Sequence, residues 1–320
     1  MRLLNPLGNR QPLVRRFLLV SLLCCCISAI PISSFSQDRV FGELIEIKAG
    51  DTDAYTFVPP PENLPINGMA ANITVTYTGF STEAQTAFQH AVDIWEALLN
   101  TSRTITINAT WSPATNPNNL GSAGASSNWR NFSGAPAPDT FWPQPLAETL
   151  CDCDLGTDPD INANFNSDRS DWYFGTDGNT PAGEYDLVTV VLHEIGHGLG
   201  FSGGATVDGS GIGSVGLGED LYPKYYDLFV KNVSIGVYGG YPNPSELMGD
   251  VLQGSGNLLW NGANAVAENG GVEPELYDPN PWNGGSSYSH FAESYYTAGN
   301  VNSLMTPFLS GAEAAHHPGT

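Results

Sequence analysis

Leu187-Val188-Thr189-Val190-Val191-Leu192-His193-Glu194-Ile195-Gly196-His197-Gly198-Leu199-Gly200-Phe201 is an apolar run interrupted by two histidines and a glutamate. Apolar side chains at nearly every position predict a helix buried all round. Residues four apart share one helix face, so His193 and His197 can direct imidazole nitrogens at a single metal ion. Glu194 stands beside them, where its carboxylate can take a proton from a metal-bound water and later deliver it to a leaving amine. Two histidines and a carboxylate in such a helix are costly unless they have partners. The plainer reading of the same residues is a pair of helix histidines in ordinary hydrogen bonds. Asp186 is placed to cap the start of the helix, and Gly200, three residues after His197, to end it in a left-handed turn.

The rest of the chain sets limits on what surrounds that helix. Its 320 residues carry 11 Lys and Arg against 33 Asp and Glu, a formal charge of −22, which argues against nucleic-acid binding and against a basic membrane-binding patch. Apolar residues at 41% suffice for a core, while 14% charged residues with 36 Gly and 23 Pro predict a loop-rich domain with an Asn, Ser, Thr and Gly surface. Arg15 and Arg16 precede an apolar run from Phe17 to Ile30, then Pro31 and the small residues Ser34 and Ser36. Residues 1–36 therefore read as a secretory signal peptide, too short in its apolar part for a membrane anchor, and the mature chain as secreted without an anchor. Of the cysteines only Cys151 and Cys153 lie beyond it; in an oxidising compartment they pair as a tight structural disulfide or stay free.

Residues 37–71, short on periodicity and containing Pro59, Pro60, Pro61 and Pro65, read as an extended lead-in or short pro-segment before a domain over 72–320. Ile73 to Tyr77 alternates in strand fashion, and Thr82 with Gln85 has the form of a capping box. Ala84, Ala87, Phe88, Ala91, Val92, Trp95, Leu98 and Leu99 then follow a helical period, and His90 on this helix, with no second ligand nearby, reads as structural. Ile105 to Trp111 is strand-like, and residues 112–145 read as long surface loops. Asp152, Asp154, Asp158, Asp160, Asp168 and Asp171 make a stretch that is either a solvated acidic loop or a Ca2+ site, without the EF-hand pattern. Within it Ile161, Ala163 and Phe165 alternate with three asparagines, a strand with one apolar face and an exposed Asn face.

The extended motif His193-Glu194-x-x-His197-x-x-Gly200-Phe201 has the metzincin form, although Gly203 stands where most metzincins carry the third ligand. After a long insertion come Ser289-His290-Phe291 and Leu304-Met305-Thr306-Pro307. This order resembles the leishmanolysin-like branch of the metzincin zinc peptidases, over roughly Ile73 to Pro307, in a bacterial secreted form. The resemblance implies that His290 is the third zinc ligand across 92 intervening residues, and that Met305 is the Met-turn residue beneath the metal. It also implies an α+β metzincin-like domain: a mixed twisted sheet, an active-site helix, an upper part to about residue 203 and a loop-rich lower part over 204–320. Ile161–Asn166 would be its edge strand, to which substrate backbone adds.

A carboxylate third ligand, Glu219 or Asp220, is the competing plan, and His316 and His317 read as exposed. Tyr288, Tyr295 and Tyr296 read as packing. The expected function is a secreted zinc endopeptidase acting on proteins or peptides with Glu194 as base. The alternatives are a secreted acidic metal-binding or adhesion module without turnover, and a zinc hydrolase of a non-peptide amide.

Overall fold

The computed structural model describes residues 37–62 and 71–319. The expected signal peptide lies outside the described residues, and among the described residues no helix is long and apolar enough to cross a membrane. The architecture is α+β, with one six-stranded sheet at its centre. Its strands are β1 (Ile45–Val58), β2 (Asn72–Thr78), β3 (Thr104–Ser112), β4 (Asn119–Ala125), β5 (Ile161–Asn166) and β6 (Phe308–Ala315), in the order β6-β1-β4-β5-β3-β2. β2, β3 and β5 run parallel, β4 is antiparallel to β5, β1 is antiparallel to β4, and β6 is parallel to β1. Ile105, Ile107 and Ala109 on β3 and Ile161, Ala163 and Phe165 on β5 turn one face to the core, as alternation requires.

Three helices matter for the site: α1 (Thr82–Leu98), α2 (Gln144–Cys151) and α3 (Leu187–Leu199). α1 buries Ala84, Ala87, Phe88, Ala91 and Val92 against the sheet, and Trp95 Nε1 donates to Leu192 O of α3 at 3.1 Å. The helix begins at Thr82, as expected, but its cap is Ser81, whose Oγ accepts from Ala84 N, in place of a Thr82–Gln85 capping box. α3 is capped by Asp186, which accepts from Thr189 N at 2.7 Å, and all but its last residue are buried. Cys151 and Cys153 are joined as a disulfide at the end of α2.

Several sequence expectations are corrected here. The segment read as a lead-in contributes β1, a 14-residue strand inside the sheet, because Ile45 and Ile47 alternate with Glu46 and Lys48 and find partners far along the chain. The stretch read as surface loops supplies β4, buried along most of its length; its Gly, Ser and Ala residues are small because a sheet strand there runs directly beneath α3. β5 is interior, not an edge, and Asn166 on its polar face is buried, donating to Asn119 O at 2.9 Å. His316 is wholly buried: its Nε2 lies 2.8 Å from Asp186 Oδ2, which ties the end of the chain to the cap of α3. His317 is half-buried. The division at residue 203 is likewise incomplete. Residues beyond it build a second core around Val215, Tyr226, Met248, Leu252, Leu258 and Leu276, but β6 returns to the upper sheet.

That return places two carboxyls together. Burial, then the neighbouring Glu313 of β6, pushes the Glu293 carboxyl up to about 7 from 4.5. The folded chain thus holds this proton more tightly than the unfolded chain. The resulting stabilisation is complete below about 4.5 and is lost as the pH rises through about 7. Glu293→Gln, permanently neutral, is expected to raise stability at pH 8 by on the order of 1–3 kcal/mol and to leave it unchanged near pH 4. Urea unfolding at the two pH values measures the difference.

Candidate metal centre

His193 and His197 stand one turn apart on α3, and His290 reaches them from the loop after Ser286. Their Nε2 atoms form a triangle with sides of 2.9 Å (His193–His197), 3.1 Å (His193–His290) and 3.1 Å (His197–His290). Each ring is oriented by its other nitrogen. Nδ1–H donates to Leu304 O from His193 (2.6 Å), to Phe201 O from His197 (2.6 Å) and to Ser286 O from His290 (2.7 Å). With Nδ1 carrying the hydrogen, each Nε2 presents a lone pair, and three lone pairs face one another with no donor among them. Such a cluster could hold a cation; tetrahedral ligands at 2.0–2.1 Å from an ion lie about 3.3 Å apart, close to the spacing found. All three rings are fully buried. Burial holds the His193 imidazole down to about 4, and likewise holds those of His197 and His290 well below their ordinary value, so the neutral ligand form prevails.

The carbonyls that fix the rings come from three separate turns. Gly200 (φ 124°) ends α3 in a conformation that L side chains rarely adopt, and the reversal delivers Phe201 O to His197. The 3-10 turn Ser303–Met305 delivers Leu304 O, and it lays Met305, 6% exposed, against Gly196 on α3. The His290 loop supplies its own Ser286 O. Gly203 has no room for a ligand side chain, since a Cβ there would stand 2.1 Å from the Tyr288 ring. The third imidazole therefore arrives from the other side, and Tyr288 is packing. Glu219 and Asp220 are exposed and away from the cluster.

Among the described residues, His193, His197 and His290 are the one group of three or more ligand side chains that could hold a metal ion. The acidic stretch meets arginines instead, Asp154 with Arg103, Asp158 with Arg39 and Asp171 with Arg169, while Asp160 accepts from Thr106 N at 2.7 Å. His90 packs edge-on to His316, remote from the centre.

Glu194 is also fully buried. One oxygen, Oε1, accepts from Ile47 N of β1 at 3.3 Å, and Oε2 has no hydrogen-bond partner among the described residues. Burial pushes its carboxyl well above the usual range; the Ile47 N–H pulls the other way and Glu46 adds to the rise. β4 passes directly over it at Gly121, whose register partner is Ile47. The outer edge of β4 beside Glu194 is thus occupied by Ile45–Lys48. That segment is also pinned to the third-histidine loop, since Glu46 N donates to Gly285 O at 2.9 Å and Lys48 Nζ to Asn283 Oδ1 at 2.8 Å. Sequence reading missed Ile47 and Lys48 at this site; the alternation of Ile45 and Ile47 was the signal available.

Fold and site together define an α+β protein in which a capped, buried helix and two distant turns converge three neutral imidazoles on one point beside a carboxylate. The chain belongs to the SPBPB7E8-like family, whose model matches residues 67–233, a stretch that contains His193, Glu194 and His197 and stops before His290 and Met305. No curated protein and no solved structure matches it.

Proposed function

We propose that this protein is a secreted, zinc-dependent endopeptidase of metzincin type. The observation that carries the reading is the triangle of Nε2 lone pairs with Glu194 on the same helix. An all-imidazole set of three neutral ligands suits zinc and leaves a further coordination position open, the arrangement of a catalytic rather than a closed structural site. When bound, the ion supplies a Lewis acid that polarises a carbonyl and acidifies a water.

The chain's own residues do the rest. Leu304, Phe201 and Ser286 carbonyls hold the imidazole rings in one tautomer and orientation. Glu194 takes the water's proton at a carboxylate oxygen and gives it to the amide nitrogen as the peptide bond breaks, so no covalent enzyme intermediate forms. With Ile45–Lys48 displaced, an extended substrate pairs with the edge of β4, beside Glu194, by main-chain hydrogen bonds. Secretion rests on the pattern of residues 15–36.

The burial of Glu194 beneath Ile47 favours a second reading, a metal centre that stiffens the fold without turnover. Cleavage of an unfolded protein by the zinc-loaded chain, with and without chelator, separates the two once the β4 edge is freed. His290→Ala is expected to weaken zinc binding at least about 100-fold, because two imidazoles remain where three converged, and to abolish the rise in melting temperature that zinc gives the parent. Competition with a coloured chelator measures the affinity directly.

A further inference from the structure

A cavity of about 500 Å³ opens at the C-terminal end of α3, beyond the metal centre and lined by none of its histidines. Phe201, Tyr226, Phe229 and Trp260 give it aromatic walls, and Ala263 stands exposed at its mouth. A volume of this size fits a small organic ligand. Into this apolar space comes one charge. Lys224 is 7% exposed, and its Nζ donates to Ser202 Oγ, the one acceptor that it reaches among the described residues. Asp227 accepts at Oδ2 from Lys224 N and at Oδ1 from Gly204 N, both at 2.8 Å, and its charge, with that of Glu43, acts on the ammonium without touching Nζ.

An ammonium carries three donors, and Ser202 Oγ engages one of them. A carboxylate can accept from the others at the contact distance that neither Asp227 nor Glu43 reaches, and the apolar walls demand that it carry an apolar body. A single ammonium with one hydroxyl beside it matches a monovalent carboxylate; a doubly charged phosphate would bring an uncompensated charge into a poorly hydrated space.

We infer that this cavity binds a small monocarboxylic acid with an aromatic or branched apolar body, its carboxylate on Lys224 Nζ and Ser202 Oγ and its body against Phe201, Phe229 and Trp260. This site is independent of the proposed peptidase activity. Burial holds the Lys224 ammonium down to about 8, with Asp227 and Glu43 pulling the other way.

The test is calorimetric titration of the zinc-loaded full chain with 4-phenylbutyrate and with its neutral amide, checked by quenching of tryptophan fluorescence. The acid is expected to bind at least about tenfold more tightly than the amide. Lys224→Met removes that preference, and Ala263→Trp, a change at the exposed mouth, blocks both ligands. Equal binding of acid and amide by the parent overturns the proposal, as does an absence of binding at millimolar concentration. Acid binding that survives Lys224→Met places the acid elsewhere, on the histidine centre for example, and overturns it as well. Should Lys224→Met fail to fold, the acid-to-amide ratio in the parent together with Ala263→Trp decides the matter.

Discussion

Freeing the β4 edge is expected to raise cleavage of unfolded protein by the zinc-loaded chain at least about tenfold. The reason is geometric: Ile47 N–H is given to Glu194, and Ile45–Lys48 pair antiparallel with Asn119–Ala123, which is how an extended substrate would lie there. While β1 keeps that place, the carboxylate and the imidazoles are out of reach of another chain. Replacing Pro59-Pro60-Pro61, which follow β1 on the surface, by the recognition site of a specific protease allows the strand to be cut loose in the otherwise intact chain. Cleavage activity should appear after the cut and fall again when a synthetic peptide spanning residues 42–50 is added in excess. A cut chain that stays folded and zinc-loaded, releases the strand and still cleaves nothing would falsify the endopeptidase reading and leave the metal centre structural. One that never releases the strand shows β1 to be a permanent wall of the core, where Ile47 is 1% exposed.

On chains opened in this way, Glu194→Gln is expected to lower the cleavage rate by roughly 10²–10⁴-fold, the range for loss of a general base. Gln keeps the size of Glu and an oxygen able to accept from Ile47 N, but no longer takes or returns a proton at neutral pH. Glu194 lies outside the three-imidazole triangle, so zinc affinity and melting temperature of the zinc-loaded form should stay close to the parent's. Equal loss of zinc would mean that the carboxylate holds the fold or the ion, and an unchanged rate would remove Glu194 from the chemistry altogether.

Much of the candidate site is legible along the chain because a helix imposes its own geometry. The four-residue spacing of His193 and His197 and the adjacency of Glu194 follow from 3.6 residues per turn, and Gly200 and Asp186 mark the ends of α3 by local backbone rules. The strands at Ile73–Tyr77 and Ile105–Trp111 follow from alternation and the helix over Ala84–Leu98 from its period, while the α+β class was what the family resemblance implied. β1 and β4 were obscured for opposite reasons. In β1 the prolines that follow outweighed a short alternation. In β4 the Asn, Gly, Ser and Ala composition imitates a loop, although those small residues let the strand run beneath α3. His316 looked exposed because nothing within its own stretch of chain is its partner; Asp186 lies 130 residues earlier.

What the sequence by itself determined is whatever depends on neighbours a few residues apart: the buried helix, its caps, the paired imidazoles and the carboxylate next to them. The family resemblance pointed to His290 over Glu219 or Asp220, and tertiary structure brought it into the triangle; tertiary structure alone decided that Leu304 and Ser286 carbonyls orient the rings and that β1 covers Glu194. It also placed Lys224 in an apolar cavity. The contacts of His193 with Leu304, of His197 with His290 and of Glu194 with Ile47 join segments 111, 93 and 147 residues apart, and their closure depends on the summed packing of the whole core rather than on any local preference.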